Sequence, residues 1–88
     1  MQILEIKDII RKDVPIYYRM YYSGIAVMEL LNKPAERKID FSIEIKPTGQ
    51  KEILITIAEP VDYPLIPIIR ELKKYIDKLD SNGNLPPL

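Results

Sequence analysis

Between Lys38 and Ala58 apolar and polar positions alternate almost strictly. Ile39, Phe41, Ile43 and Ile45 are separated by Asp40, Ser42 and Glu44. After Pro47-Thr48-Gly49-Gln50, Ile53, Ile55 and Ile57 are separated by Leu54 and Thr56. Period two with β-branched residues on one side predicts two half-buried strands joined as a hairpin. Matching inward faces suggests a register with Ile45 opposite Ile53, Ile43 opposite Ile55, Phe41 opposite Ile57 and Lys46 opposite Glu52. Gly49 is the natural residue for a left-handed position in the intervening loop.

From Leu65 onward the period changes to three and four. Leu65, Ile68, Ile69, Leu72, Ile76 and Leu79 form one stripe, with Arg70, Glu71, Lys73, Lys74, Asp77 and Lys78 on the other side. That is an amphipathic helix. Pro64 and Pro67 place its start near Pro67, because proline is tolerated in a first turn and disruptive further in. Ser81-Asn82-Gly83 ends it, with Gly83 suited to a left-handed cap. Neither helix nor hairpin can bury its apolar side alone, so the stripe is expected on the isoleucine face.

Residues 15–31 admit two readings. As a helix, Asp13 caps it, Pro15 lies in the first turn, and Ile16, Met20, Gly24, Val27 and Leu31 form the stripe. As a hairpin, Tyr17–Tyr22 and Ile25–Leu31 flank a Ser23-Gly24 turn, and the clustered tyrosines favour this reading. Gln2–Ile6 reads as a short strand with Leu4 and Ile6 inward, after which Asp8–Asp13 turns the chain. Asn32–Lys38 reads as an exposed loop. The stiff segment Glu59–Pro64 orients the helix, with a recognition loop centred on Tyr63 as the other reading. The expected fold is therefore α+β: an antiparallel β-sheet, a meander of hairpins, packed on one face by a C-terminal α-helix. A single domain over residues 1–80 and a flexible tail over 81–88 are expected. Leu85-Pro86-Pro87-Leu88 has the composition of a short polyproline II segment.

Composition changes the picture mainly by subtraction. The 88 residues contain no His, Cys or Trp, which excludes disulfides, thiolate zinc sites and Ser-His or Cys-His nucleophile systems. Asp77 with Asp80, and Glu59 with Asp62, are the nearest approach to catalytic carboxylate pairs, and each reads more simply as solvated surface. The glycines are isolated, so no phosphate-cradling loop exists. No catalytic residue, metal site or cofactor is expected, and the chain reads as a non-enzyme. The first residues carry no basic segment followed by an apolar run, so no signal peptide is expected. The least charged stretch, residues 20–28, falls short of a bilayer span. With no marker of an oxidising compartment, a cytoplasmic setting is the expectation.

Thirteen basic and thirteen acidic residues cancel, which leaves little long-range attraction to a polyanion. Against this background stands Tyr17-Tyr18-Arg19-Met20-Tyr21-Tyr22, holding four of the six tyrosines, preceded by Arg11 and Lys12. Tyrosine presents a rigid apolar ring with a polar edge and loses little entropy on contact, which makes it a common interface residue. In a strand, Tyr17, Arg19 and Tyr21 share one face while Tyr18, Met20 and Tyr22 share the other. The candidate binding residues are thus Tyr17, Tyr18, Arg19, Tyr21, Tyr22, Arg11 and Lys12. The reading is a small regulatory or adaptor protein that forms a homodimer or binds another protein, without a membrane role. The alternative is single-stranded nucleic-acid binding, with rings stacking on bases and the cations contacting phosphate.

Overall fold

The computed structural model describes residues 1–87. Four strands, β1 (Gln2–Lys12), β2 (Arg19–Leu30), β3 (Lys33–Ile45) and β4 (Lys51–Ile57), precede one helix, α1 (Leu65–Ser81). The strands form one antiparallel meander in the order β1-β2-β3-β4. The expected α+β architecture is therefore what the chain adopts. The sheet curls around α1, whose backbone approaches the edge strands β1 and β4 and neither central strand. The space over the centre is filled by Tyr22, Met28, Ile39, Phe41 and Ile43, packed against Ile68, Leu72 and Ile76 of α1.

Residues 19–30 correct both readings of that segment. They are neither a helix nor a hairpin but one continuous strand, paired on both sides. Met20, Tyr22, Gly24, Ala26, Met28 and Leu30 share the helix-facing side, and Arg19, Tyr21, Ser23, Ile25, Val27 and Glu29 the other. A central strand with apolar residues on both faces hides its own alternation. Gly24 is no turn residue. It lies opposite a bulge in β1, where Lys7 pairs with Ile25 and Ile10 with Ser23, leaving Asp8 and Ile9 to face it together. A Cβ on Gly24 would stand 3.1 Å from Ile6 Cγ2 and 3.3 Å from Ile9 Cγ1 and the Lys7 carbonyl oxygen.

β1 also runs further than expected, through Lys12. A second irregularity between Ile3 and Glu5 shifts the phase at Leu4. Ile3, Ile6 and Ile9 therefore face the core, and Leu4, expected inward, is exposed. The expected loop at Asn32–Lys38 is strand instead, since β3 begins at Lys33. The turn before it is two residues long, Leu31 and Asn32, with φ of 50° and 62°. These left-handed angles are those of a type I′ hairpin turn. Pro34 is accommodated because its missing N–H would face the side of β3 that β4 has already left.

The β3–β4 hairpin keeps the expected faces in a register two residues away from the expected one. Ile43 pairs with Ile53, Phe41 with Ile55, Ile39 with Ile57, and Ile45 with Lys51. A two-residue slip preserves every face, so patterning cannot detect it. The tighter loop decides. Lys46 N–H donates to the Gln50 carbonyl and Gly49 N–H to the Lys46 carbonyl, each at 2.8 Å, with Gly49 at φ 88°. This register sets Glu44 opposite Glu52. The repulsion is relieved by Arg19–Glu44 at 2.6 Å and Lys46–Glu52 at 2.8 Å, so the expected Lys46–Glu52 contact forms as a diagonal pair.

Helix α1 opens at Leu65, two residues before the expected start, with Pro67 in the first turn where no intrahelical bond is lost. Ile68, Leu72 and Ile76 are fully buried, while Leu65, expected in the buried stripe, is half exposed. At the other end Gly83 N–H donates to Asp80 O (3.1 Å) and Asn84 N–H to Leu79 O (2.8 Å), with Gly83 at φ 68°. This is a Schellman cap on the expected glycine. Beyond it Leu85 packs against the core. The polyproline reading of residues 85–88 ends on Leu88, which lies outside the described residues.

Candidate functional site

The cluster of tyrosines and cations is divided by the sheet. Tyr22 is in the core, its ring stacked on Phe41 at 5.0 Å and 15°. Its hydroxyl lies 3.9 Å from Met20 Sδ, and burial pushes its pKa up. Arg11 pairs with Tyr22 across β1 and β2 and is half-buried on the helix-facing side. On the opposite face Arg19 donates to both Glu44 oxygens at 2.6 and 3.1 Å. The hydrogen bond to Glu44 holds the guanidinium proton more tightly than usual. Its Nε is buried with no hydrogen-bond partner among the described residues. Tyr21 sits half-buried on that outer face beside Ser42, and Lys12 reaches Asp40 at 2.8 Å.

Tyr17 and Tyr18 lie outside the sheet, on the six-residue connection 13–18 between β1 and β2. Two tight turns shape it, Val14 N–H to Lys12 O at 3.1 Å and Ile16 N–H to Val14 O at 2.8 Å. The Tyr18 carbonyl accepts from Ile45 N–H at 3.0 Å, which fixes the end of the connection to β3. The two rings meet edge to face at 6.1 Å. Tyr17 is 97% exposed, Tyr18 54%, and the neighbouring Ile45 47%. The structure therefore brings Tyr17 and Tyr18 together at one tip, places Arg19, Tyr21 and Lys12 on the outer sheet face, and sends Tyr22 and Arg11 to the inner side.

Ion pairs dominate the outer face. Lys7–Glu36 at 3.0 Å and Lys12–Asp40 at 2.8 Å both link β1 to β3 over the intervening β2. Glu36 raises the Lys7 pKa by hydrogen bonding, and Lys46 lowers that of Glu52 in the same way. The cations that a base-stacking surface would offer to phosphate, Arg19 and Lys12, are thus engaged by carboxylates of β3. Asp77 and Asp80, weighed as a carboxylate pair, hold Lys51 Nζ at 2.7 and 3.0 Å and tie α1 to β4. Tyr63 packs against the core. Among the described residues no group of His, Cys, Asp or Glu is arranged to hold a metal ion, and no helix is long and apolar enough to cross a membrane.

Sequence reasoning missed a groove between β4 and the first half of α1, with a volume of about 620 Å³. Ile55, Ile57, Leu65, Ile66 and Ile69 line it, with Arg70 and Lys73 alongside. Its signal was the surplus of aliphatics in Leu65-Ile66-Pro67-Ile68-Ile69, more than one buried stripe requires.

The architecture defines a small four-stranded antiparallel meander closed on one side by a C-terminal helix, with exposed aromatic rings at one loop tip and an apolar groove along one edge. The chain belongs to the BB-0187 family, whose match spans residues 1–81 and so takes in all four strands and the whole of α1. No curated protein and no solved structure matches it.

Proposed function

We propose that the chain is a small non-enzymatic adaptor of the cytoplasm that acts by protein–protein contact, with the Tyr17–Tyr18 tip as an anchor of a homodimer interface. The carrying observation is that Tyr17, 97% exposed, stands with Tyr18 on a connection anchored to β3. Two exposed rings meeting edge to face form the kind of aromatic anchor that dominates interface energetics. Zero net charge opposes no approach between copies. Sedimentation equilibrium over the micromolar range tests the reading. A concentration-dependent rise above 10.3 kDa is expected. It should be weakened by Tyr17→Ser with Tyr18→Ser while the circular dichroism spectrum is unchanged. A mass that stays at the monomer value throughout refutes the homodimer.

A further inference from the structure

The two edges of the sheet are not alike. β1 is interrupted twice, at Leu4 and at Asp8–Ile9, with Asp8 at φ 54°. Such bulges spoil an edge as a template for further pairing. β4 pairs with β3 without interruption from Lys51 to Ile57. Ala58 N–H donates to Lys38 O at 3.0 Å and Lys46 N–H to Gln50 O at 2.8 Å. These two bonds set the phase of the ladder, so the even-numbered residues of β4 bond to β3. Lys51, Ile53, Ile55 and Ile57 then direct their N–H and C=O groups to the open edge. Their side chains point to the helix side, where the groove begins.

The groove supplies what a bare edge lacks. Ile57, Leu65, Ile66 and Ile69 form an apolar floor beside the open strand, and Ile66 is 73% exposed. Arg70 and Lys73 stand over it, and neither takes part in an ion pair among the described residues. A second copy added edge to edge by a two-fold axis would turn Arg70 and Lys73 toward their own images, so charge disfavours that occupant. We propose that this groove binds an extended, acidic segment of another protein, which adds to β4 as a fifth strand. Main-chain bonds to Ile53, Ile55 and Ile57 give affinity, and the helix-facing side of the added strand carries aliphatic side chains that enter the groove together with carboxylates that meet Arg70 and Lys73. The surface is separate from the tyrosine tip and stands or falls independently of it.

The test uses a fluorescent seven-residue peptide, Val-Thr-Glu-Thr-Val-Thr-Glu, blocked at both ends, which puts valine and glutamate on one face of the strand, and a counterpart with lysine in place of glutamate. Fluorescence polarisation should show saturable, salt-sensitive binding of the acidic peptide alone, and amide resonances of Ile53, Ile55 and Ile57 should shift on its addition. Arg70→Glu with Lys73→Glu, on the exposed side of α1, should weaken the acidic peptide at least tenfold and let the lysine peptide bind. Tyr17→Ser with Tyr18→Ser should leave both affinities unchanged. No binding of the acidic peptide at millimolar concentration, equal binding of both peptides, or shifts confined to other strands would each overturn the proposal. So would edge amides that move with protein concentration alone, since a second copy would then occupy the edge.

Discussion

Gly24→Ala opposes two effects of known sign. Alanine restricts the unfolded chain and suits a strand better than glycine, a gain of about 0.5–1 kcal/mol where the site has room. The site does not have room. The new Cβ would lie 3.1 Å from Ile6 Cγ2 and 3.3 Å from both Ile9 Cγ1 and the Lys7 carbonyl oxygen. Two of these neighbours are core side chains, and the third is backbone held in the β1–β2 ladder, so relief requires β1 to shift at its bulge. Overpacking of this kind costs about 1–3 kcal/mol, which leaves Gly24→Ala destabilised by about 1–2 kcal/mol. In a domain of this size that lowers Tm by roughly 4–15 °C. Gly24→Val should lose about 3 kcal/mol or more, although valine is the better strand former. Urea denaturation of Gly24→Ala, Ile9→Ala and the double variant provides the check. Removing Ile9 Cγ1 makes room for the new Cβ, so the double variant should be more stable than the sum of the singles by about 0.5–1 kcal/mol. An alanine variant as stable as the parent, or strict additivity, would show that the bulge does not need glycine opposite it.

Phe41→Ala empties the centre of the core and breaks the stack on Tyr22, an expected loss of about 3–5 kcal/mol in urea, whereas Asp40→Ala on the outer face removes only an exposed pair with Lys12 and should cost under about 1 kcal/mol. Equal losses would mean that the faces of β3 are reversed. Leu31→Asn with Asn32→Gly replaces an exposed leucine at positive φ by the favoured residues of its turn type and should raise stability by about 1 kcal/mol in the same assay. Burial raises the Tyr22 pKa, so the fold favours the neutral phenol. Its contribution is complete below the unfolded value of about 10 and is lost as pH rises through the higher folded value. Stability measured from pH 9 upward should therefore fall less steeply in Tyr22→Phe than in the parent.

Legibility in the sequence followed the number of faces each element buries. β3, β4 and α1 each bury one face, so the alternation at Ile39–Ile45 and Ile53–Ile57 and the spacing of Ile68, Leu72 and Ile76 reported them directly. β2 is flanked on both sides and carries Tyr21, Ile25 and Val27 on one face against Tyr22, Met28 and Leu30 on the other, so its period was hidden. In β1 the two bulges convert a period of two into the three-residue spacing of Ile3, Ile6 and Ile9, which no strand template matches. The hairpin register escaped because the alternatives differ by two residues, and only the geometry of Lys46–Gln50 separates them. The division of the tyrosines followed from parity for Tyr21 and Tyr22. The isolation of Tyr17 and Tyr18 did not, because it depends on where β2 begins.

The charge pattern acquires a purpose once the sheet is laid out. Ile25 and Val27 would leave an apolar strip along the middle of the uncovered face, the kind of surface that invites non-specific association. Lys7–Glu36 and Lys12–Asp40 reach across that strip from β1 to β3, and Arg19–Glu44 closes its end at Tyr21. Exposed pairs of this kind contribute little stability each, but they cover apolar surface with the aliphatic stems of lysine and arginine. The same pairing neutralises the face locally, as the equal numbers of acidic and basic residues do for the chain as a whole. The apolar groups left without such cover include the rings of Tyr17 and Tyr18 at the tip, Ile66 beside the β4–α1 groove, Leu31 in the β2–β3 turn and Ile10 in β1. Among these places the tip and the groove edge differ in chemistry. The tip offers rings without charge and the edge offers backbone donors beside two cations, so the two proposed contacts call for chemically different partners and are tested separately.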